Sequence, residues 1–183
     1  MMRGARTQRG FTLIELIMFI VVISGALAGV LTIFIQATRG SADPQLRRQA
    51  MAIAESLLEE VQLMPFTYCD PDDAVAETAT SAAGCTTTEA LGPEAGETRT
   101  ASPQFDNVND YNGYTMASGI TSITGTTVPG LSAYSASVGV RAAALGSVPG
   151  TDALRITVTV TGPGGTQVKL EGWRTRFAPT AIF

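Results

Sequence analysis

One stretch of the chain, Asp106-Asn107-Val108-Asn109-Asp110-Tyr111-Asn112-Gly113, is dense in side-chain oxygen. Carboxylates and amide carbonyls are the ligands that hard cations take, so Asp106, Asn109, Asp110 and Asn112 are calcium candidates. The spacing is not that of an EF-hand loop, which has glycine at its sixth place and glutamate at its twelfth. The same residues are also ordinary turn material, because Asx side chains bond their own backbone and Asn-Gly accepts positive φ. Both readings stand at this level. Other chemistry is thinner. The chain has no histidine, which removes Ser-His-Asp and Cys-His nucleophile systems and every histidine-containing metal site. Its two cysteines cannot build a zinc site of four thiolates. Gly162-Pro163-Gly164-Gly165 lacks the Lys-Ser/Thr that completes a phosphate loop. No catalytic residue is assigned, no cofactor beyond calcium is a candidate, and no enzymatic activity is expected.

The second feature with chemical content is Glu15, which stands inside an apolar run. The chain has 183 residues, enough for one domain and an anchor. With 12 Lys+Arg against 16 Asp+Glu its formal net charge is −4, so no nucleic-acid partner is expected; phosphate affinity needs clustered cations. Charged residues make up 15%, below the roughly 25% of soluble domains, and the deficit is concentrated near the N-terminus. Residues 16–38 contain no charge. As a helix they would measure about 35 Å, enough for a hydrocarbon core of about 30 Å. The run is too long for the apolar region of a cleaved signal peptide; a signal anchor fits. Arg3, Arg6 and Arg9 precede it, and the positive-inside rule then puts Met1 on the cytoplasmic side and the rest of the chain beyond the membrane. A carboxylate in lipid costs roughly 2–3 kcal/mol near the centre and less near the interface. Glu15 therefore needs a partner. A cut between Gly10 and Phe11 would create one, the α-amino group of Phe11, four residues away on the same helix or on a neighbouring subunit. Gly25-Ala26-Leu27-Ala28-Gly29 is a small-xxx-small pattern, in which Gly25 and Gly29 allow helices to approach closely.

The elements that must carry these groups follow from periodicity. Gly40, Ser41, Asp43 and Pro44 interrupt the apolar run. Asp43 suits a helix cap and Pro44 a first helical position. An amphipathic helix is expected over residues 44–64, stopped by Pro65. Leu46, Ala50, Ile53, Ala54, Leu57, Leu58, Val61 and Met64 form its apolar face, and Arg47, Arg48, Glu55, Glu59 and Glu60 take the other faces. Residues 65–105 read as a long polar loop rich in acids. Beyond the cytoplasm Cys69 and Cys85 pair, a closure worth roughly 3 kcal/mol by chain entropy. Residues 106–183 read as sheet. Tyr134, Ala136, Val138 and Val140 alternate, as do Leu154, Ile156, Val158 and Val160. Val168 and Leu170 begin a return strand, so residues 154–177 form a hairpin. The apolar parity breaks between Leu170 and Trp173, which predicts a bulge at Gly172. Arg141, Arg155, Lys169, Arg174 and Arg176 make this end basic, as a solvated strand face or a docking face for a neighbouring subunit. Tyr111, Tyr114, Tyr134 and Trp173 read as core aromatics, or as the lining of a sugar site. The fold class is α+β, with a helix on one face of an antiparallel sheet.

Arg9-Gly10-Phe11-Thr12-Leu13-Ile14-Glu15 resembles the prepilin cleavage motif of type IV pilins, type II secretion pseudopilins and related filament subunits. Gly precedes the cut, Phe follows it, and Glu stands fifth in the mature chain, ahead of an uninterrupted apolar helix. The resemblance implies a leader over residues 1–10, a transmembrane and filament-core helix over residues 11–40, and a globular pilin head over residues 41–183. It implies cleavage at Gly10–Phe11 and N-methylation of Phe11 by a prepilin peptidase, with Glu15 and the Phe11 amine as an assembly charge pair. The partners it implies are that peptidase, other pilin or pseudopilin subunits, an inner-membrane assembly platform, and membrane lipid before assembly. Several stretches, among them Arg39-Gly40-Ser41-Ala42-Asp43-Pro44 and Pro65-Phe66-Thr67-Tyr68-Cys69-Asp70-Pro71, are similar to minor pilins of mannose-sensitive haemagglutinin (MSHA) pili, whose role would be filament assembly and attachment. A minor pseudopilin of type II secretion shares the same features. A membrane-anchored adhesin or carbohydrate-binding module is the alternative from another class.

Overall fold

The computed structural model describes residues 10–181, without the side chains of residues 38–43. Of the leader expected over residues 1–10, all but Gly10 lies outside the described residues. Helix α1 (Leu13–Leu63) begins where Thr12 leaves the extended chain, and it contains Pro44. No separate helix starts at Pro44, so Asp43 is not a helix cap. The chain divides at this point into two compact units, Met1–Asp43 and Pro44–Phe183.

Within the first unit, Leu13–Ala37 is long and apolar enough to cross a membrane. Every described side chain from Phe11 to Ala37 is exposed. An apolar helix whose described side chains are exposed is suited to lipid or to packing against other helices.

The second unit is an α+β head. Strands β1 (Thr115–Met116), β2 (Ser135–Ala142), β3 (Ala153–Thr161) and β4 (Gln167–Thr175) form one antiparallel sheet in the order β1-β2-β3-β4. Period-two alternation sets which face is buried. Ala136, Val138, Val140, Ile156, Val158, Val160 and Val168 join Ala50, Ile53, Ala54, Leu57 and Val61 of α1 in a single core. Leu46, Leu58 and Met64 pack at its margin, so the helical face expected from periodicity is the face that meets the sheet. Tyr134 is buried in this core and donates from its hydroxyl to Gln49 Oε1 at 2.8 Å. The Gly162–Gly165 turn joins β3 and β4, and Gly162 gives Tyr134 room: a Cβ there would stand 2.5 Å from its ring.

The expected bulge at Gly172 does not form. The β3–β4 register runs unbroken through Ile156↔Gly172 and Arg155↔Trp173. Gly172 occupies an inward position where α1 comes closest; a Cβ there would meet Gln62 Nε2 at 2.5 Å and Leu58 Cδ1 at 2.9 Å. Trp173 belongs to the outer face. The apparent parity switch arose because the inward residue has no side chain. Gly172→Val is expected to cost about 1–3 kcal/mol through overpacking, measured as a lower unfolding midpoint. An unchanged midpoint would contradict this close approach.

The loop between α1 and the sheet holds itself together. Cys69 and Cys85 form a disulfide, and Cys69, Ala76 and Ala79 make a small core of their own. Asp73 Oδ2 accepts from the backbone N–H of Thr86 at 2.6 Å and Thr87 at 2.7 Å. Hydrogen bonds from Thr87, then Val75, hold its carboxyl below the usual range.

Candidate functional site

The oxygen-rich stretch folds into one 3-10 turn, Val108–Tyr111. Asn107 caps it, and Asp110 reciprocates. Asp110 Oδ2 accepts from the backbone N–H of Asn107 at 2.7 Å and of Asp106 at 2.9 Å. Asn107 Nδ2 donates to Thr67 Oγ1 at 2.7 Å, which fixes the turn to the segment that follows α1. The turn reading is thus correct for the backbone. Asn112 is drawn away from the other calcium candidates: its Oδ1 accepts from Val140 N–H at 3.0 Å and secures β2.

Two groups of acids form around this turn. One oxygen each of Glu89, Glu94 and Asp110 lie within 4.8 Å of one another, and so do oxygens of Asp70, Asp72 and Asp106. Sequence reading placed Glu89 and Glu94 only among the acids of a polar loop. No local pattern connects them to Asp110; the loop is brought in by contacts such as Gly92 N–H to the Asn109 carbonyl, 3.1 Å. Asp110 is fully buried and Asn109 is 7% exposed. Both oxygens of Glu89, Glu94 Oε2, Asp106 Oδ1, Asn109 Oδ1 and Asp110 Oδ1 are buried without a hydrogen-bond partner. The electrostatics reflect this. Burial, followed by the nearby charges of Asp110, Glu94 and Asp106, pushes Glu89 up to about 10. Burial raises Asp110 to about 7 against the pull of its two backbone donors. It raises Asp106 to about 6, aided by Asp70 and Asp72, and Glu97 to about 8, aided by Asp110.

The candidate assembly residues lie in the first unit. Thr12 Oγ1 accepts from the Glu15 backbone N–H at 3.3 Å, so Glu15 stands in the first turn of a capped helix, where an anion is favoured by the helix dipole. Phe11 is 86% exposed. Gly10, Gly25 and Gly29 are exposed, and beyond their own stretch of chain no described atom lies within 4 Å of where a Cβ would stand. Glu15 and Phe11 are not joined by any described bond, and Phe11 stands two residues before α1 begins.

The shortest ion pair among the described residues was not expected. Glu60, assigned by periodicity to a solvated face, is half-buried. Arg99 comes from the loop and is 6% exposed. Its Nε and Nη2 reach the two Glu60 oxygens at 2.6 and 2.7 Å. Its Nη1 donates to the carbonyls of Thr121 and Ser122, each at 3.1 Å. Tyr111 donates from its hydroxyl to Glu60 Oε1 at 2.8 Å. The Glu60 hydrogen bond raises the Arg99 guanidinium above its ordinary range, while burial raises the Tyr111 phenol. The pair also lines an apolar groove of about 490 Å³, together with Ile53, Leu57, Ile120 and Leu131. Its charges are committed to each other.

The aromatics divide. Tyr111 and Tyr134 are core residues, Tyr114 packs at the margin against Phe105, and Trp173 lies on the opposite sheet face. They do not converge on one sugar site. Three of the five cations at the basic end pair with acids within the chain: Lys169 and Arg155 face Glu171 at 2.8 and 3.9 Å, and Arg176 stacks on Phe66 and Tyr68 while facing Asp152.

No family model, curated protein or solved structure matches the chain.

Proposed function

We propose that the chain is a type IV pilin-like filament subunit, a structural protein with no catalysis of its own. The observation that carries this reading is the apolar helix Leu13–Ala37, exposed throughout, with Glu15 in its first turn directly after the Gly10-Phe11 pair. Before assembly the helix lies in the inner membrane, with the N-terminus cytoplasmic and the head periplasmic, as the preceding arginines favour. A prepilin peptidase cuts between Gly10 and Phe11 and methylates the new amine. An assembly platform then draws the helix from lipid into a bundle of like helices. There Glu15 of an entering subunit neutralises the Phe11 amine of its neighbour, and Gly25 and Gly29 let helices pack closely. The stretches of residues 39–44 and 65–71 are similar to the minor pilin D of MSHA pili, which supports a role in filament assembly and surface attachment.

Gly10 gives a clean test. It is exposed, and a Cβ there would meet nothing within 4 Å among the described residues, so bulk at this position is expected to leave the fold of the described residues in place. Gly10→Trp is expected to accumulate as the full-length precursor, while Gly10→Ala is still cut, at normal or reduced rate. Immunoblotting of membranes resolves the two forms. Normal maturation of Gly10→Trp would overturn the cleavage assignment.

A further inference from the structure

The acidic seam beside the Val108–Tyr111 turn has the features of an ion site, and these are independent of the filament reading. Three carboxylates converge within 4.8 Å, and Asp106 adds its charge from the flank. Charge alone would drive such groups apart or out into water. Here they point inward, and the buried oxygens are left with no donor. Asn109 is the decisive neighbour. It is neutral, more than nine-tenths buried and adjacent to Asp110 in the same turn, and its Oδ1 has no hydrogen-bond partner. A buried carbonyl oxygen is costly to leave unsatisfied. One occupant answers all of these oxygens at once.

The geometry points to a divalent-cation site that takes calcium, with Glu89, Glu94, Asp110 and the Asn109 carbonyl oxygen as its protein ligands. The donor set is all oxygen, the preference of a hard cation. Calcium accepts six to eight such ligands in flexible geometry at about 2.3–2.6 Å, so ligands on opposite sides of one ion stand up to about 5 Å apart. Magnesium demands a smaller and nearly ideal octahedron and keeps several of its waters, which suits an irregular set of protein oxygens less well. Asp110 Oδ2 is committed to two backbone N–H groups, leaving Oδ1 for the ion. Those bonds act as the second shell that fixes the ligand's orientation. Of the calcium candidates legible in the sequence, Asn109 and Asp110 stay as ligands, Asp106 flanks the site, and Asn112 is removed from it. An ion here would join the loop carrying Glu89 and Glu94 to the turn that holds the segment after α1.

The test uses the full chain in detergent, stripped with a chelator, and titrated with calcium chloride alone and then magnesium chloride alone. Calorimetry is expected to show one calcium ion per chain, at a dissociation constant of about 10⁻³ M or tighter, with magnesium at least about tenfold weaker. Calcium is expected to raise the unfolding midpoint. Glu89→Gln and Glu94→Gln are each expected to weaken calcium by at least about tenfold, a loss that even outer-shell partners of metal ligands produce. Their calcium-free midpoints should equal or exceed that of the unaltered chain, because an acid buried without a hydrogen-bond partner is replaced by a neutral amide of the same shape. Asp72→Asn, in the neighbouring group of acids, should bind calcium as the unaltered chain does. Absence of saturable calcium binding by the folded chain up to about 10 mM, ten times the weakest constant expected, would overturn the proposal. So would calcium binding that survives both glutamine substitutions undiminished, or that Asp72→Asn abolishes.

Discussion

Arg99→Ala is expected to destabilise the head by about 3–5 kcal/mol, the cost of breaking a buried ion pair from one side. The reason is what would remain. Glu60 would keep the Tyr111 hydroxyl but lose both guanidinium bonds. The carbonyls of Thr121 and Ser122 would lose the donor they share. A buried anion short of partners is worse than no anion. The double substitution Arg99→Met with Glu60→Leu should therefore be less destabilising than Arg99→Ala alone, although it leaves the Tyr111 hydroxyl and two carbonyls to find water. Chemical unfolding followed by near-ultraviolet circular dichroism reads both. If Arg99→Ala costs less than about 1 kcal/mol, the range of exposed pairs, the pair is not the tie between α1, the loop and the Thr121–Ser122 corner that its geometry indicates.

Glu15→Val is expected to be inserted and cleaved normally and then to be lost from filaments. Insertion should if anything improve, since a carboxylate in lipid costs up to about 2–3 kcal/mol. The folded chain also needs Glu15 little: the Thr12 cap uses the backbone N–H of Glu15, and an exposed acid in a first helical turn contributes only about 0.3–1 kcal/mol. A purely local role thus predicts normal incorporation of the variant, and the intersubunit charge pair predicts its failure. Glu15→Asp, which keeps the charge on a shorter stem, should retain more incorporation than Glu15→Val. Comparing the amount of each variant in sheared filaments with the amount in membranes decides between them. Equal incorporation of Glu15→Val and the unaltered chain would rule out the charge pair.

Much of the fold was legible because it rests on periodicity. The alternation of Val138 and Val140, and of Ile156, Val158 and Val160, sets the sheet's buried face. The 3.6-residue spacing from Leu46 to Met64 sets the helix face that covers it. The Cys69–Cys85 bond followed from there being two cysteines and one expected compartment. Gly172 shows where the method misleads: a missing side chain in a regular strand reads as a change of parity. Pro44 shows another limit, since proline is tolerated inside the helix it was expected to begin.

The candidate sites divide along the same line. Gly10, Phe11 and Glu15 are contiguous, so their relation is written in seven residues. Glu89, Glu94 and Asp110 are drawn together from a loop without periodicity, and nothing in their spacing announces it. Glu60 and Arg99 are 39 residues apart; only the burial of Arg99, at odds with its charge, marks them. A cue did exist: Arg99 is the sole cation between Arg48 and Arg141, in a region crowded with acids. A lone cation in such surroundings is a candidate for a specific partner.

The central claim is that this chain is cut after Gly10 and built into a filament. Quantitative intact-mass spectrometry of filaments sheared from cells tests it most directly. The account predicts a species that begins at Phe11, carries one added methyl group, and is present at trace ratio to another pilin. A processed chain found only in membranes would shift the assignment to a secretion pseudopilus. A chain that retains residues 1–10 wherever it is found would contradict the account at its root.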